Sequence, residues 1–300
     1  MYGPWHAGRR RRALVISEPA APVTIGIDLA WGTRAPTGIA VLDPQGRLIH
    51  TSSVRSDDEI DHALEPWIDG PCVVGLDAPL YVVNATGRRP CEAELTRAFA
   101  GQHAGTYPSN TGLAHFADGG RAARLARRHG LAVDASVPAA PGQRRALEVY
   151  PHSATVALFD LPQVLKYKAR KGRALATRQA ALVTLVELLA GLAAPSSLPK
   201  LSSPDGFAAL RRDIEQAPTA AALRRLEDPI DAIVCAYVAA LFLAGRTCVI
   251  GDSETGAIVT PVRERHRRLL GLAPCVDHTD APADSSVAGS LICSATTGSL

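Results

Sequence analysis

Two short apolar runs, each ending in an aspartate, constrain this chain more than any other feature. VTIGID closes on Asp28 and CVVGLD on Asp77, while a third apolar run, DPIDAIVCAYVAALFL, opens on Asp228 and Asp231. A carboxylate beside a buried element is costly unless something compensates it. Several such acids in one chain point to a shared compensator, and a divalent cation is the simplest. The runs also set the fold class. Residues 72–76 are apolar on both faces, as in a strand covered on both sides of a sheet, and residues 23–29 are apolar enough to be central.

The pattern around these runs predicts a mixed α/β fold. Strands are expected at 23–29, 38–43 and 47–54, the last two joined by the turn Asp43-Pro-Gln-Gly46. Ser56 caps a helix whose apolar positions Ile60, Ala63, Leu64 and Trp67 follow helical spacing. The strand at 72–76 comes next, and a fifth is expected at 147–150. Residues 84–142 interrupt the regularity with a Gly-bounded loop (101–112) and a basic helix near 121–128, and are read as an inserted cap over the sheet. Helices are expected at 175–192, as a hairpin over 205–226, and at 228–244, the last buried all round. A terminal hairpin pairs 248–250 with 257–259. One domain is thus predicted over 23–268, with a disordered basic arm at 1–22 and a disordered tail at 269–300.

Composition excludes several classes. A net charge of +3 over 300 residues is too small to mark a polyanion binder, so local basic clusters matter more. The six cysteines show no CxxC pair and no His at finger spacing, which argues against a zinc site or a disulfide framework. No apolar stretch is long enough to span a membrane, and the run after Arg9–Arg12 is too short and broken for a signal peptide. A reduced, cytoplasmic setting without membrane contact is expected. There is no P-loop, no GxGxxG after the first strand and no GxSxG elbow.

GIDLAWG at 26–32, GLDAPL at 75–80, RRPCE at 88–92, EVYPH at 148–152 and DPIDAIVCAY at 228–237 resemble the domain-of-unknown-function 429 family. The resemblance covers roughly residues 23–262. Members of that family are predicted nucleases of the RNase H-like superfamily, so it implies an RNase H-like mixed sheet: three antiparallel strands, then parallel strands. It also places a metal-bridging aspartate on the first strand, here Asp28, and acids near the position of Asp231 that complete a metal site.

The candidate metal ligands are therefore Asp28, Asp77 and Asp231, all hard oxygen donors suited to Mg²⁺ or Mn²⁺, with a two-ion site suspected. Each has a simpler alternative. Asp28 fits a turn to Gly32 or Thr33, and Asp77 a turn before Ala78-Pro79. Asp231 shares a helix face with Cys235, Val238 and Phe242, which should point inward, so an acid there wants a cation. Asp228 before Pro229 is read as an N-cap with Pro at N1.

Glu148 is a further catalytic candidate, with a salt bridge to Arg144 or Arg145 as its alternative. His152 is a candidate to position water or protonate the leaving group, or else merely starts a helix. Arg89, Lys166 and Lys168 are candidate substrate-phosphate contacts. For Arg89 a pairing with Glu92 is equally open. Cys91 has no base beside it. Arg121, Arg124 and Arg128 repeat on one helix face and are either solvated or a second phosphate clamp.

The expected function is hydrolysis of a phosphodiester in nucleic acid or a nucleotide. One alternative is a phosphotransferase of the actin and sugar-kinase type, although no second phosphate hairpin follows residue 77. The other is a non-catalytic scaffold of the same fold.

Overall fold

The computed structural model describes residues 21–32, 35–137, 140, 142–194 and 198–273. The arm expected over 1–22 and the tail expected over 269–300 lie almost wholly outside the described residues. Five strands form one mixed sheet: β1 (Val23–Asp28), β2 (Thr37–Leu42), β3 (Leu48–Val54), β4 (Cys72–Leu76) and β5 (Arg144–Glu148), in the order β3-β2-β1-β4-β5. The first three pair antiparallel, while β4 runs parallel to β1 and β5 parallel to β4. The predicted mixed α/β sheet with flanking helices is present. Among the described residues, no helix is long and apolar enough to cross a membrane.

Helices α1 (Asp57–Ile68) and α3 (Gly120–Arg128) cover one face, where Ile60, Leu64, Ala122 and Leu125 pack on Ile25, Ile27, Val74 and Leu76. The segment expected as a cap is divided between two places. Its basic helix α3 belongs to this layer, because Ala122, Leu125 and Ala126 give it an apolar inner stripe. The other helix of the segment, α2 (Pro90–Phe99), packs Cys91, Leu95 and Phe99 on the hairpin β6 (Cys248–Asp252) and β7 (Gly256–Thr260). Helix α4 (Pro151–Leu158) adds Val156 to that cluster.

Helix α1 starts as expected. The Ser56 hydroxyl accepts from the Glu59 amide at 3.1 Å and the Glu59 carboxylate accepts in return from the Ser56 amide at 3.0 Å. Ser56→Ala removes one half of this box, and its cost is expected to be about 1 kcal/mol. A shift of the urea midpoint at unchanged slope measures it.

The opposite face carries α7 (Ala220–Leu243), backed by α5 (Leu175–Gly191) and α6 (Pro204–Gln216). Here the structure corrects the expected start at Asp228. Thr219 is the cap, its hydroxyl accepting from the Ala222 amide at 3.1 Å, and Pro229 lies inside the helix. Proline forfeits one backbone bond there. Burial of Leu223, Ile230, Ile233 and Val234 on either side outweighs that loss.

Helix α7 lies low because three strand residues facing it are glycines. A Cβ at Gly26 would stand 1.8 Å from the Ala232 carbonyl oxygen, one at Gly38 2.0 Å from that of Asp228, and one at Gly75 2.5 Å from that of Cys235. Side chains alternate along a strand, so Asp28 shares the face of Gly26, and Asp77 that of Gly75. The repeated pattern Gly-x-Asp thus brings the helix down and aims an acid at it.

Candidate functional site

Asp28 and Asp77 stand at the carboxyl ends of two neighbouring parallel strands, where open α/β sheets gather ligands. The Asp77 amide donates to the Ile27 carbonyl at 2.9 Å and ties the two strand ends together. Asp228 and Asp231 come from α7, three residues apart and so on one side of the helix. Among these acids sits a lysine. The Lys168 ammonium is 2.6 Å from Asp231 Oδ2, 3.5 Å from Asp28 Oδ2 and 3.7 Å from Asp228 Oδ1.

Lys168 arrives on the connection between α4 and α5, which is pinned from beneath. Tyr167 is buried and its hydroxyl donates to Asp231 Oδ1 at 2.6 Å. The Tyr167 carbonyl accepts from Arg178 Nε at 2.9 Å, and Arg178 is paired at 2.6 Å with buried Glu227 on α7. His152 Nδ1 lies 3.3 Å from the same hydroxyl. Because that hydroxyl gives its hydrogen to Asp231, the imidazole must be the donor, which fixes the Nδ1–H tautomer and leaves the Nε2 lone pair available.

Four carboxylates face one ammonium, and the imbalance shows in their acidities. Burial pushes Asp28 up to about 7 against the pull of Lys168, with Asp231 and Asp228 adding to the rise. Burial takes Asp228 up to about 6, again opposed by Lys168 and aided by Asp231. Asp77 is raised well above the carboxylate range, by burial first and then by Asp28 and Asp231. Burial opposes the charge on Lys168, but Asp231, Asp28 and Asp228 outweigh it and lift the ammonium above the ordinary lysine range. Burial drives His152 down to about 4, so it is neutral at pH 7.

The structure therefore brings Asp28, Asp77 and Asp231 to one place and adds Asp228, whose expected role as a cap is overturned by the earlier start of α7. His152 adjoins the cluster through Tyr167. Neutral at pH 7 with Nε2 an acceptor, it fits the first of its two expected roles, positioning water, better than the second, protonating a leaving group. Lys168 sits inside the cluster as a counter-ion instead of waiting for phosphate, whereas Lys166 is exposed. Tyr167 and the Arg178–Glu227 pair escape a reading of the sequence, since no spacing links residues 167 and 178 to 227.

Glu148 and Arg89 lie on the other face of the sheet, although Glu148 is near enough to add to the rise at Asp77. Glu148 pairs in register with Leu76 and so lies on the sheet face opposite Asp77. Its partner is not Arg144 or Arg145 but Arg89, 1% exposed, which binds it through both terminal nitrogens, Nη1 at 2.9 Å and Nη2 at 2.5 Å. Arg89 also donates to Glu92 at 2.9 and 2.8 Å and to the Tyr81 carbonyl at 2.9 Å, so all five of its N–H groups are engaged and none is left for a substrate. Burial pushes the Cys91 thiol up to about 12, which makes it inert. Arg121 and Arg128 are not a phosphate clamp: Arg121 donates to Asp57 at 2.7 Å and Arg128 to Asp61 at 2.6 Å, tying α3 to α1.

Among the described residues, no three His, Cys, Asp or Glu side chains are arranged as a ready ligand set for a metal ion. The Lys168 ammonium stands between the carboxylates. The donors are nevertheless all carboxyl oxygens, more of them than the one ammonium can neutralise, a chemistry that fits Mg²⁺ or Mn²⁺.

Fold and site together define a mixed α/β protein with an acidic centre at the carboxyl end of its sheet. The chain belongs to the family described as Protein of unknown function (DUF429), whose model matches residues 26–255, a span that includes every residue of this centre. Searches of curated proteins and of solved structures find no match to it.

Proposed function

We propose that this protein is a metal-dependent hydrolase of phosphodiester bonds, a nuclease with an RNase H-like core. One observation carries the proposal: acids from two adjacent strand ends and a buried helix converge on one spot with too little positive charge to balance them. The sheet, antiparallel through β3, β2 and β1 and parallel through β1, β4 and β5, is the arrangement that the family resemblance implies, which supports the RNase H-like reading.

Asp28, Asp77 and Asp231 would hold Mg²⁺ or Mn²⁺, with Asp228 beside them. When bound, the ion supplies Lewis acidity to the phosphoryl group and to the attacking water. The protein does the rest. Tyr167 fixes the orientation of Asp231, His152 Nε2 accepts a hydrogen bond from water, and exposed Lys166, Arg170 and Lys171 on the connection carrying Lys168 neutralise phosphates beside the bond to be cut.

The test is cleavage of end-labelled DNA and RNA strands with Mg²⁺ or Mn²⁺, set against the same reaction with EDTA. Metal-dependent internal or terminal cutting is expected, and cutting that persists in EDTA, or none on any strand, defeats the proposal. The basic connection makes a separate prediction. Binding should weaken with salt, and Lys166→Ala with Lys171→Ala should flatten the log–log salt slope by about 0.7–0.9 for each phosphate contact removed. Fluorescence anisotropy across a salt series measures this, and an unchanged slope would place the strand elsewhere.

A further inference from the structure

We propose that Lys168 is the resident occupant of the cation position in the acid cluster, and that its ammonium and a divalent ion exclude each other there. The inference rests on the metal-dependent reading above and concerns which cation the acids hold.

Position is the first argument. The carboxylate oxygens around the ammonium come from Asp231 and Asp28, two of the three residues that would ligate a metal, and from Asp228 beside them. A divalent ion brought to them would stand a few ångströms from Nζ. Two cations that close repel by several kcal/mol even at the effective dielectric of a partly exposed site.

The second argument is that the lysine is delivered rather than wandering. Its backbone is held by Tyr167 and Arg178 on one side, and on the other its carbonyl accepts from Arg173 Nη1 at 2.6 Å. Its neighbours Lys166 and Lys171 are exposed, whereas Lys168 is drawn inward with 34% of its side chain still reached by solvent. The head on its flexible four-carbon stem is thus free to leave while the backbone stays in place. The third is charge: one positive charge is a poor match to four acids, and a divalent ion is a better one.

Lys168 then has two effects. It holds the acids together when no metal is present, and it weakens apparent metal affinity because each binding event must displace it. Lysine acetylation followed by mass spectrometry tests this on the unaltered protein. Without divalent ions, Lys168 should react about tenfold more slowly than Lys166 and Lys171, and saturating Mn²⁺ should bring it to their rate. In calorimetric titrations Lys168→Met should bind Mn²⁺ about tenfold more tightly than wild type and melt lower without metal, whereas Lys168→Arg should keep the weak binding.

Protection of Lys168 that persists with Mn²⁺ bound, or a Lys168→Met protein that binds Mn²⁺ no more tightly, overturns the exclusion and leaves the metal-dependent reading standing. If neither wild type nor Lys168→Met binds Mn²⁺, that reading fails and the exclusion fails with it. Should Lys168→Met not fold, the acetylation rates on the wild type decide alone.

Discussion

Gly26→Ala is expected to cost about 4 kcal/mol or more, most of what a domain at the lower end of the usual roughly 5–15 kcal/mol has in reserve. The new methyl carbon would lie 1.8 Å from the Ala232 carbonyl oxygen and 2.4 Å from the Ala236 nitrogen. Both obstacles are backbone atoms of a buried helix, so no side-chain rotation relieves the clash. Helix α7 would have to lift off the sheet by more than an ångström. That would open gaps along Ile233, Val234 and Cys235 and draw Asp231 away from Asp28 and Lys168. Overpacking that side chains absorb costs about 1–3 kcal/mol; displacing a helix costs more. Gly191→Ala is the control. It sits at the end of α5, where an added Cβ would meet nothing within 4 Å, and is expected to be neutral or to stabilise by up to about 1 kcal/mol. Urea denaturation of both variants, or partition into the insoluble fraction for the first, gives the answer. A Gly26→Ala protein as stable as wild type would mean that α7 does not press on β1.

The same glycines show what was legible in the sequence and what was not. Strands β1, β2 and β4 were legible because their apolar runs are continuous, β3 because the turn at 43–46 precedes it, and α1 because Ser56 and Glu59 cap it through local bonds. Strand β5, expected at 147–150, instead spans Arg144–Glu148 and opens on two arginines that break the apolar pattern. The acids were legible because charge at the end of a buried run is costly. The close approach of α7 left its mark too, in glycines at positions 26 and 75 two residues before each aspartate. A glycine inside a strand signals a backbone pressing close, but one strand alone does not say which element presses. The start of α7 is hidden because Asp-Pro is a common way to begin a helix, whereas here long-range burial carries the helix through the proline. The partners of Arg89 were out of reach for a different reason. Glu148 is 59 residues away and β5 must first dock beside β4. Lys168 was visible as one cation in a basic run, yet nothing local separates the lysine that turns inward from the ones that stay in solvent.

Asp28→Asn is expected to stabilise the metal-free protein above pH 7 while removing its response to metal. In the folded chain Asp28 titrates at about 7 against an ordinary 3.8. The folded state therefore holds the proton more tightly than the unfolded state does. With more protons bound when folded, stability falls as pH rises between 3.8 and about 7, and the cost is complete above that window. Asp57, held low by Arg121 and Arg128 despite partial burial, works with the opposite sign, but only below its ordinary 3.8. The amide carries no charge, so the variant escapes the cost. A full shift of roughly 3 units would amount to about 4 kcal/mol. Sharing among the coupled acids and the 15% of the Asp28 side chain still in solvent reduce the expected gain to about 1–2 kcal/mol, or about 2–8 °C in Tm. By pH 5 the gain should shrink to roughly a third of its full size, and it should vanish below the ordinary 3.8, where the carboxyl is protonated in both states. Divalent ions act in the other direction. They need the carboxylate, so the stabilisation of wild type by millimolar Mg²⁺ should grow as pH rises through 6 to 7. Asp28→Asn should lose most of that increment, and lose cleavage by about 100-fold or more, beyond the roughly 10–100-fold typical of groups that only orient a ligand. Thermal melts at pH 5 and pH 8, with and without Mg²⁺, separate these effects. A variant no more stable than wild type at pH 8, or equally stabilised at both pH values, would mean that Asp28 is not forced into a shielded crowd of acids.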